Sequence, residues 1–268
     1  MTRIIVHPGY HKTGTTSLQS FLITNRATLT PCFDFYGKAD FPAAGAHARR
    51  YASQRFPWTL WQFRRAFRRF LAPLGHDRNL VISRETFSGA MPGHRDVYGR
   101  MFESYGPAAR PLANTIVAEL RRKFGPEAEI TFVYTTRDAE PWIASVHGHL
   151  LRSIKLTDDF AMFRQRLSPL RGPEQEAEAM RRHLDPLPVV SVPLETYSGR
   201  QFGAAEVILD LMQVPPDVRA RLCPVQRANA GQKPELRAAF LELNRSKMDK
   251  KSLRETKKAL LQAHGNRP

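Results

Sequence analysis

The chain of 268 residues is long enough to bury a hydrophobic core and short for two full domains. Apolar residues make up 42% of it, and no apolar run approaches the roughly 18 residues of a membrane span, which excludes the disordered, fibrous and membrane-spanning classes. The formal net charge of +16 indicates an anionic partner, and nucleic acid, acidic polysaccharide, anionic lipid and a polyanionic cofactor all fit it.

Short runs that are nearly continuous in apolar residues predict five strands. They are Arg3–His7, Cys32–Tyr36, Asn79–Ser83, Ile130–Tyr134 and Pro188–Val192. Helical stretches separate these runs, and this alternation is typical of strands buried on both faces of a parallel sheet. The sequence therefore predicts an α/β domain over residues 1–233, with a central, mostly parallel sheet flanked by helices.

Helical periodicity begins at Thr15, where Leu18, Phe21 and Leu22 share one face. Further helices are predicted at Leu60–Leu71, Leu112–Phe124, Pro141–Ser153, Pro173–Leu184, Gly203–Met212 and Pro234–Gln262. The last of these, with the tail that follows, forms a predicted basic helical extension over residues 234–268. The N-terminus enters a strand at once and shows no secretory signal pattern, so we expect a cytoplasmic protein.

The positive charge is concentrated in two segments. Seven arginines and no acid lie between Asp40 and Asp77, and from Arg245 onward eight basic residues face two acids. In the segment Arg49–Leu71 the arginines alternate with aromatic residues. Three interpretations stay open: a helix with its aromatic residues toward the core, a site for an anionic or sugar-bearing acceptor, or peripheral attachment to a membrane surface. No recognised nucleic-acid motif accompanies the segment, so a nucleic-acid partner is not expected.

The two cysteines, Cys32 and Cys223, are far apart and lack metal-ligand spacing. We expect reduced thiols packed as small core residues. No cluster of histidine, aspartate and glutamate has metal-ligand spacing either, so no metal is predicted.

A glycine-bearing loop joins the first strand to the first helix: Gly9-Tyr10-His11-Lys12-Thr13-Gly14-Thr15-Thr16-Ser17. Glycines allow a tight turn that directs consecutive N–H groups at a phosphate, and the positive end of the following helix adds attraction for the anion. Lys12 supplies a mobile charge, and Thr15 and Thr16 supply hydroxyl donors. In the ATP and GTP loop the lysine follows the second glycine, whereas Lys12 precedes Gly14 by two residues.

Lys12-Thr13-Gly14-Thr15-Thr16 resembles the 5′-phosphosulfate loop of the sulfotransferases that use 3′-phosphoadenosine 5′-phosphosulfate (PAPS). In that family the pattern is lysine, any residue, glycine, threonine, threonine. The resemblance implies a P-loop-type fold with PAPS as cofactor. Five residues of the loop would hold the 5′-phosphosulfate: Lys12, Thr13, Gly14, Thr15 and Thr16. The predicted cofactor-binding residues of the loop also include Gly9, His11 and Ser17.

A second pattern follows the fourth strand, where Arg137 is separated by eight positions from Ser145. The spacing allows a guanidinium and a hydroxyl to converge on one phosphate, and it resembles the 3′-phosphate site of the same family. The alternative is that Arg137 pairs with Asp138 or Glu140. Ser17 stands where small-phenol and steroid sulfotransferases have an adenine-stacking tryptophan, and their late arginine-lysine-glycine motif has no clear counterpart. The resemblance covers about Arg3–Ser198 and is closest to bacterial members acting on sugars, lipids or small metabolites.

Sulfuryl transfer needs a group to stabilise the leaving phosphate oxygen and a base to take the proton of the acceptor. Lys12 is the predicted stabiliser. Glu85 follows the third strand, where the family places a histidine or glutamate, and it is the predicted base; its alternative role is an ion pair with Arg84. Five histidines are weaker candidates: His7, His11, His47, His94 and His147. Two other functions stay open, a P-loop kinase or NTPase and a non-catalytic basic protein that binds nucleotides or other anions.

Overall fold

The computed structural model describes residues 2–167, 170–224 and 233–263. In these residues five strands form one parallel sheet in the order β2-β3-β1-β4-β5. The strands are β1 (Arg3–His7), β2 (Asp34–Tyr36), β3 (Leu80–Ser83), β4 (Glu129–Thr136) and β5 (Val189–Pro193). The predicted α/β architecture with a central parallel sheet is confirmed, and β4 extends two residues past its apolar core to Thr136.

Helices connect the strands and flank the sheet. They are α1 (Thr15–Thr24), α2 (Arg26–Leu29), α3 (Pro42–Gln54), α4 (Pro57–Leu71), α5 (Gly106–Phe124), α6 (Ala139–Ser153), α7 (Phe160–Leu167), α8 (Pro173–Leu184), α9 (Leu194–Tyr197), α10 (Ala205–Leu211), α11 (Pro216–Arg219), α12 (Pro234–Arg245) and α13 (Lys250–Ala263). A 3₁₀ helix, Glu85–Ser88, follows β3. None of the helices in the described ranges is long and apolar enough to span a bilayer.

Successive side chains of each strand point to opposite faces of the sheet, so the buried residues form two layers. Ile5, Val81 and Val133 pack in one cluster with residues of α1 and α10. Their neighbours along each strand, such as Ile4 and Phe132, point to the opposite face, because successive side chains of a strand alternate. Helix α8 covers that face, where it contacts both β4 and β5, and α5 packs against α8. Both faces of the sheet are therefore buried.

The helices differ from the prediction in several places. Helices α2, α3, α7, α9 and α11 were not predicted, and α5 begins at Gly106 rather than Leu112. The longest of the unpredicted helices is α3, whose alanine-rich sequence shows no strong apolar period. The single predicted helix Pro234–Gln262 is divided into α12 and α13. Asp249 explains the division, since its Oδ1 accepts the backbone N–H groups of Lys251 (2.8 Å) and Ser252 (3.1 Å) and caps a new helix.

The chain forms two compact units, Met1–Ala139 with Arg171–Ala228, and Glu140–Leu170 with Asn229–Pro268. The first contains the whole sheet. In the second, two side chains satisfy carbonyls near the end of α6: Asn244 Nδ2 donates to Leu151 O at 3.0 Å, and Lys257 Nζ donates to Leu151 O at 2.6 Å. Burial lowers the pKa of Lys257 to about 8. The C-terminal helices are thus held to α6 by polar contacts.

Candidate active site

The glycine-bearing loop lies at the carboxyl edge of the sheet, between β1 and α1. Strand β1 is central, with β3 on one side and β4 on the other, so the chain connections diverge at this strand. Ligands of open α/β sheets bind outside the carboxyl ends of the strands at such a switch point. The fold therefore puts the predicted phosphate loop where this architecture binds ligands.

The loop backbone has positive φ at three residues, Gly9 (62°), Lys12 (69°) and Gly14 (88°). A Cβ built on Gly9 would lie 2.8 Å from Thr15 Oγ1, so the tight turn requires glycine there. Lys12 is not a glycine, and its left-handed conformation costs about 1 kcal/mol or more. Turns of this kind direct successive N–H groups into a concavity that suits an anion. The strain at Lys12 is thus consistent with a loop shaped for binding.

Two threonine side chains of the loop point into the protein. Thr13 Oγ1 donates to Tyr10 O at 2.7 Å and lies 2.8 Å from Thr135 Oγ1 on β4. Thr15 Oγ1 donates to the same Tyr10 carbonyl at 3.1 Å. These contacts use the two hydroxyls to hold the turn, so Thr13 and Thr15 are left with their backbone N–H groups for an anion, while the Thr16 side chain is exposed.

Helix α1 begins without a side-chain cap at Gly14. Ser17 is the first residue of α1 whose backbone N–H donates to an acceptor at the start of the helix, Gly14 O at 3.0 Å. The N–H groups of Thr15 and Thr16 therefore have no acceptor within the helix, and they carry the positive end of its dipole. This arrangement favours an anion bound over the start of α1.

His7 at the end of β1 is fully buried, with Nδ1 2.8 Å from Ser83 Oγ and Nε2 3.4 Å from Thr135 Oγ1. Burial lowers the pKa of His7 to about 3, so the ring is neutral at pH 7. Gln19 of α1 also donates to Ser83, at 2.9 Å. His7 thus links the ends of three adjacent strands beneath the loop, which is a structural role.

Tyr105 is buried and contacts the loop at His11. Its hydroxyl accepts the His11 backbone N–H at 3.2 Å and lies 3.5 Å from His11 Nδ1, and the two rings are parallel within 9°. Burial, with the charges of His94, Lys12 and Arg49, lowers the pKa of His11 to about 4. The backbone N–H of Tyr105 in turn donates to Glu176 Oε1 at 3.2 Å. Sequence analysis missed Tyr105, which no nearby motif marks.

The two sequence patterns meet at Lys12. Arg137 follows β4 directly, and its Nη1 donates to the Lys12 carbonyl at 3.4 Å. Glu140, one of its suggested partners, pairs instead with Arg164 at 2.8 Å. Ser145 lies on α6, in the second compact unit, so its part in the 3′-phosphate site stays a prediction.

Glu85 begins the 3₁₀ helix after β3 and is half-buried. Burial raises its pKa, and the positive charges of Lys12, Lys38 and Arg84 oppose that rise. The suggested pair with Arg84 is not formed: Arg84 donates to Lys38 O at 2.6 Å and to Thr86 Oγ1 at 3.3 Å. The carboxylate of Glu85 is therefore close enough to Lys12 for the lysine charge to act on its titration.

The other histidines have weaker claims to the base role. His147 is buried in the second unit, where Nε2 contacts Asp158 O at 3.0 Å. His47 lies on α3 and His94 in the loop before α5. Burial lowers the pKa of His94, which lies close enough to His11 to influence its titration.

The arginine-rich segment Arg49–Leu71 is divided between α3 and α4 rather than forming one helix. Phe63 and Phe67 are buried, and Arg64, Arg68 and Arg122 surround the fully buried Glu119 at 2.7 to 2.9 Å. The first interpretation, a helix with its aromatic residues toward the core, therefore holds for the face of α4 that carries Phe63 and Phe67. Trp58 and Trp61 are each 57% exposed, and Arg65 lies over the Trp61 ring.

The described residues contain no group of three or more histidine, cysteine, aspartate or glutamate side chains placed to hold a metal ion. Both cysteines are free. Cys32 packs half-buried against the core, whereas Cys223 is exposed, so the expectation of a buried thiol is wrong for Cys223.

No protein-family model matches the sequence, and no curated protein matches it at significant similarity.

Proposed function

We propose that this chain is a sulfotransferase that moves the sulfuryl group of PAPS to a hydroxyl or amine of a sugar, lipid or small-metabolite acceptor. The observation that carries the proposal is the meeting of its two motifs. The loop with Lys12, Gly14, Thr15 and Thr16 lies at the end of the central strand, and Arg137 reaches it from the neighbouring strand at 3.4 Å.

The residues around the loop fit a phosphosulfate. The groups available to it are the backbone N–H groups at the start of α1, the Thr16 hydroxyl, Lys12 and Arg137, which are donors or cations. Gly9 and Gly14 allow the loop its tight turn, since both have positive φ and a Cβ on Gly14 would lie 3.0 Å from Leu194. We infer that the loop is a P-loop of the phosphosulfate type, with Arg137 and Ser145 assigned to the 3′-phosphate.

PAPS, when bound, supplies the sulfuryl group, whose bond to the phosphate oxygen breaks as a bond to the acceptor oxygen or nitrogen forms. Lys12 stabilises the negative charge that develops on the departing phosphate oxygen. Glu85 takes the proton of the acceptor, and a positioned base of this kind accelerates such reactions about 10²–10⁴-fold. Its raised pKa makes the carboxylate a stronger base than an exposed glutamate.

The donor preference tests the proposal. Calorimetric titration with 3′,5′-diphosphoadenosine (PAP) and with ATP, each with and without magnesium, should show tighter binding of PAP that does not need the metal. PAPS-dependent labelling of candidate acceptors should survive EDTA. Equal affinity for ATP, or turnover that magnesium restores after EDTA, would favour the kinase or NTPase alternative instead.

Binding of PAP without transfer to any acceptor would favour the non-catalytic alternative. The presence of Glu85 close to Lys12, together with Arg137, supports the catalytic function, because binding alone does not require a base. A cytoplasmic location and a peripheral membrane contact both stay predictions.

A further inference from the structure

A second cationic site lies in the first compact unit, between α5 and α8. A cavity of about 360 Å³ is lined by Arg110, Arg171, Ala179, Arg182 and His183. A hydrogen bond of 2.9 Å between His183 Nε2 and Asn114 Oδ1 joins the two helices beside it. Cavities of this size lie at the lower end of the range that holds small ligands. None of these residues belongs to the phosphate loop or to the region around Glu85.

The charge at this cavity is strongly one-sided. Three of the lining side chains are guanidinium groups, and no carboxylate occurs among the described residues that line it. The nearest acids have other contacts. Glu176 is buried and accepts the Tyr105 N–H; burial raises its pKa, and the charges of Arg171 and Arg110 oppose that rise. Glu178 lies 3.8 Å from Arg182 but makes its short contact with Arg181.

Arginines placed around one cavity repel each other unless an anion lies between them. Their planar groups donate paired hydrogen bonds that match the oxygens of sulfate, phosphate and carboxylate. We propose that the α5–α8 groove binds an anionic ligand about the size of one sugar residue that carries at least two sulfate or phosphate groups. Arg110, Arg171 and Arg182 bind these groups, and the Ala179 methyl contacts the carbon skeleton.

The test is calorimetric titration of the full chain with three probes: inorganic sulfate, fructose 1,6-bisphosphate and a disulfated monosaccharide. We expect saturable binding of at least one of the two sugar probes, weaker at high salt, and little binding of sulfate alone. Comparison of the two sugars identifies whether the site prefers phosphate or sulfate groups. The Arg110→Ala/Arg182→Ala variant should bind at least tenfold more weakly, and both side chains are exposed, so the fold should be retained.

The matched control is Arg65→Ala/Arg69→Ala, which removes the same charge from exposed positions of α4. Its affinity for the probe should change less than twofold. An equal loss in the control would show a general charge effect and overturn the proposal, as would the absence of saturable binding. Lys12→Ala should leave the probe affinity unchanged; a loss there would assign the binding to the phosphate loop, while PAP titration tests the proposed function separately.

Discussion

Arg137 and Lys12 are 125 positions apart in the chain, and a hydrogen bond of 3.4 Å joins Nη1 of the arginine to the carbonyl oxygen of the lysine. The bond ties the end of β4 to the loop that follows β1. It also brings two cationic side chains to the same edge of the sheet. An anion bound over the loop would meet both charges, and this relationship underlies the first two predictions.

Replacement of Arg137 by alanine should weaken PAP binding by about tenfold or more, since a hydrogen bond to a charged group contributes about 1.5–3 kcal/mol. The affinity for AMP should change much less, because AMP has no 3′-phosphate. Titration of wild type and Arg137→Ala with both nucleotides measures the difference. An equal loss for PAP and AMP would show that Arg137 acts only through the loop conformation.

Lys12→Ala should lower turnover far more than it weakens PAP binding. The loop amides and Arg137 share in binding, whereas the developing charge on the leaving oxygen depends on Lys12 in the transition state. Steady-state kinetics with an identified acceptor, together with PAP titration, separate the two effects. A parallel fall in affinity and turnover would make Lys12 a binding residue only.

Glu85→Gln should leave PAP affinity unchanged and reduce the rate by about 10²-fold or more, because glutamine cannot take the proton. In the wild type the rate should fall on acidification through the raised pKa of Glu85, above its ordinary value of 4.5, since protonation removes the base. The variant should lack this acidic limb. Near wild-type turnover in Glu85→Gln would mean that another group is the base. His11→Gln is then the variant to compare.

Tyr105→Phe should keep the ring packing of the buried tyrosine and remove its hydroxyl contacts with His11. We expect PAP affinity to fall several-fold and stability to fall by about 1 kcal/mol. Tyr98→Phe is the matched control, since Tyr98 is 62% exposed. Unchanged PAP binding in Tyr105→Phe, measured by titration beside thermal unfolding, would contradict a role for the hydroxyl in shaping the loop.

Glu119 should make the free energy of unfolding depend on pH in the acidic range. The hydrogen bond from Arg68 is the largest cause that lowers its pKa from 4.5 to about 2, with Arg64 and Arg122 contributing. A carboxylate whose pKa is lower in the folded state than in the unfolded chain stabilises the fold at pH values above its unfolded-state pKa. That contribution is lost as the pH falls from 4.5 toward 2.

Glu119→Gln should therefore lower the free energy of unfolding by about 2 kcal/mol at pH 7, and the difference from wild type should shrink below pH 4. Denaturant unfolding at several pH values measures it. Glu103→Gln, at an exposed position, is the control. A difference that does not depend on pH would mean that the charge of Glu119 contributes little to folding.

Local patterns in the sequence were sufficient for the sheet and for the loop. Each strand is a short apolar run, and the alternation with helices indicates parallel pairing, so five strands and their direction could be predicted. The spacing of Lys12, Gly14 and the two threonines is also local. The break between α12 and α13 was missed because the capping role of Asp249 interrupts a stretch whose composition is helical throughout.

The surroundings of the loop depend on tertiary structure. Strand order puts Ser83 and Thr135 on either side of His7, and packing brings Tyr105, the residue before α5, onto His11. The same packing turns Arg64 and Arg68 toward a buried glutamate that is more than 50 residues away in the chain. The sequence by itself determined which segments form the sheet and where the loop lies, because these follow from neighbouring residues. Only the folded chain decided which side chains meet there, because contacts between distant residues are set by strand order and helix packing.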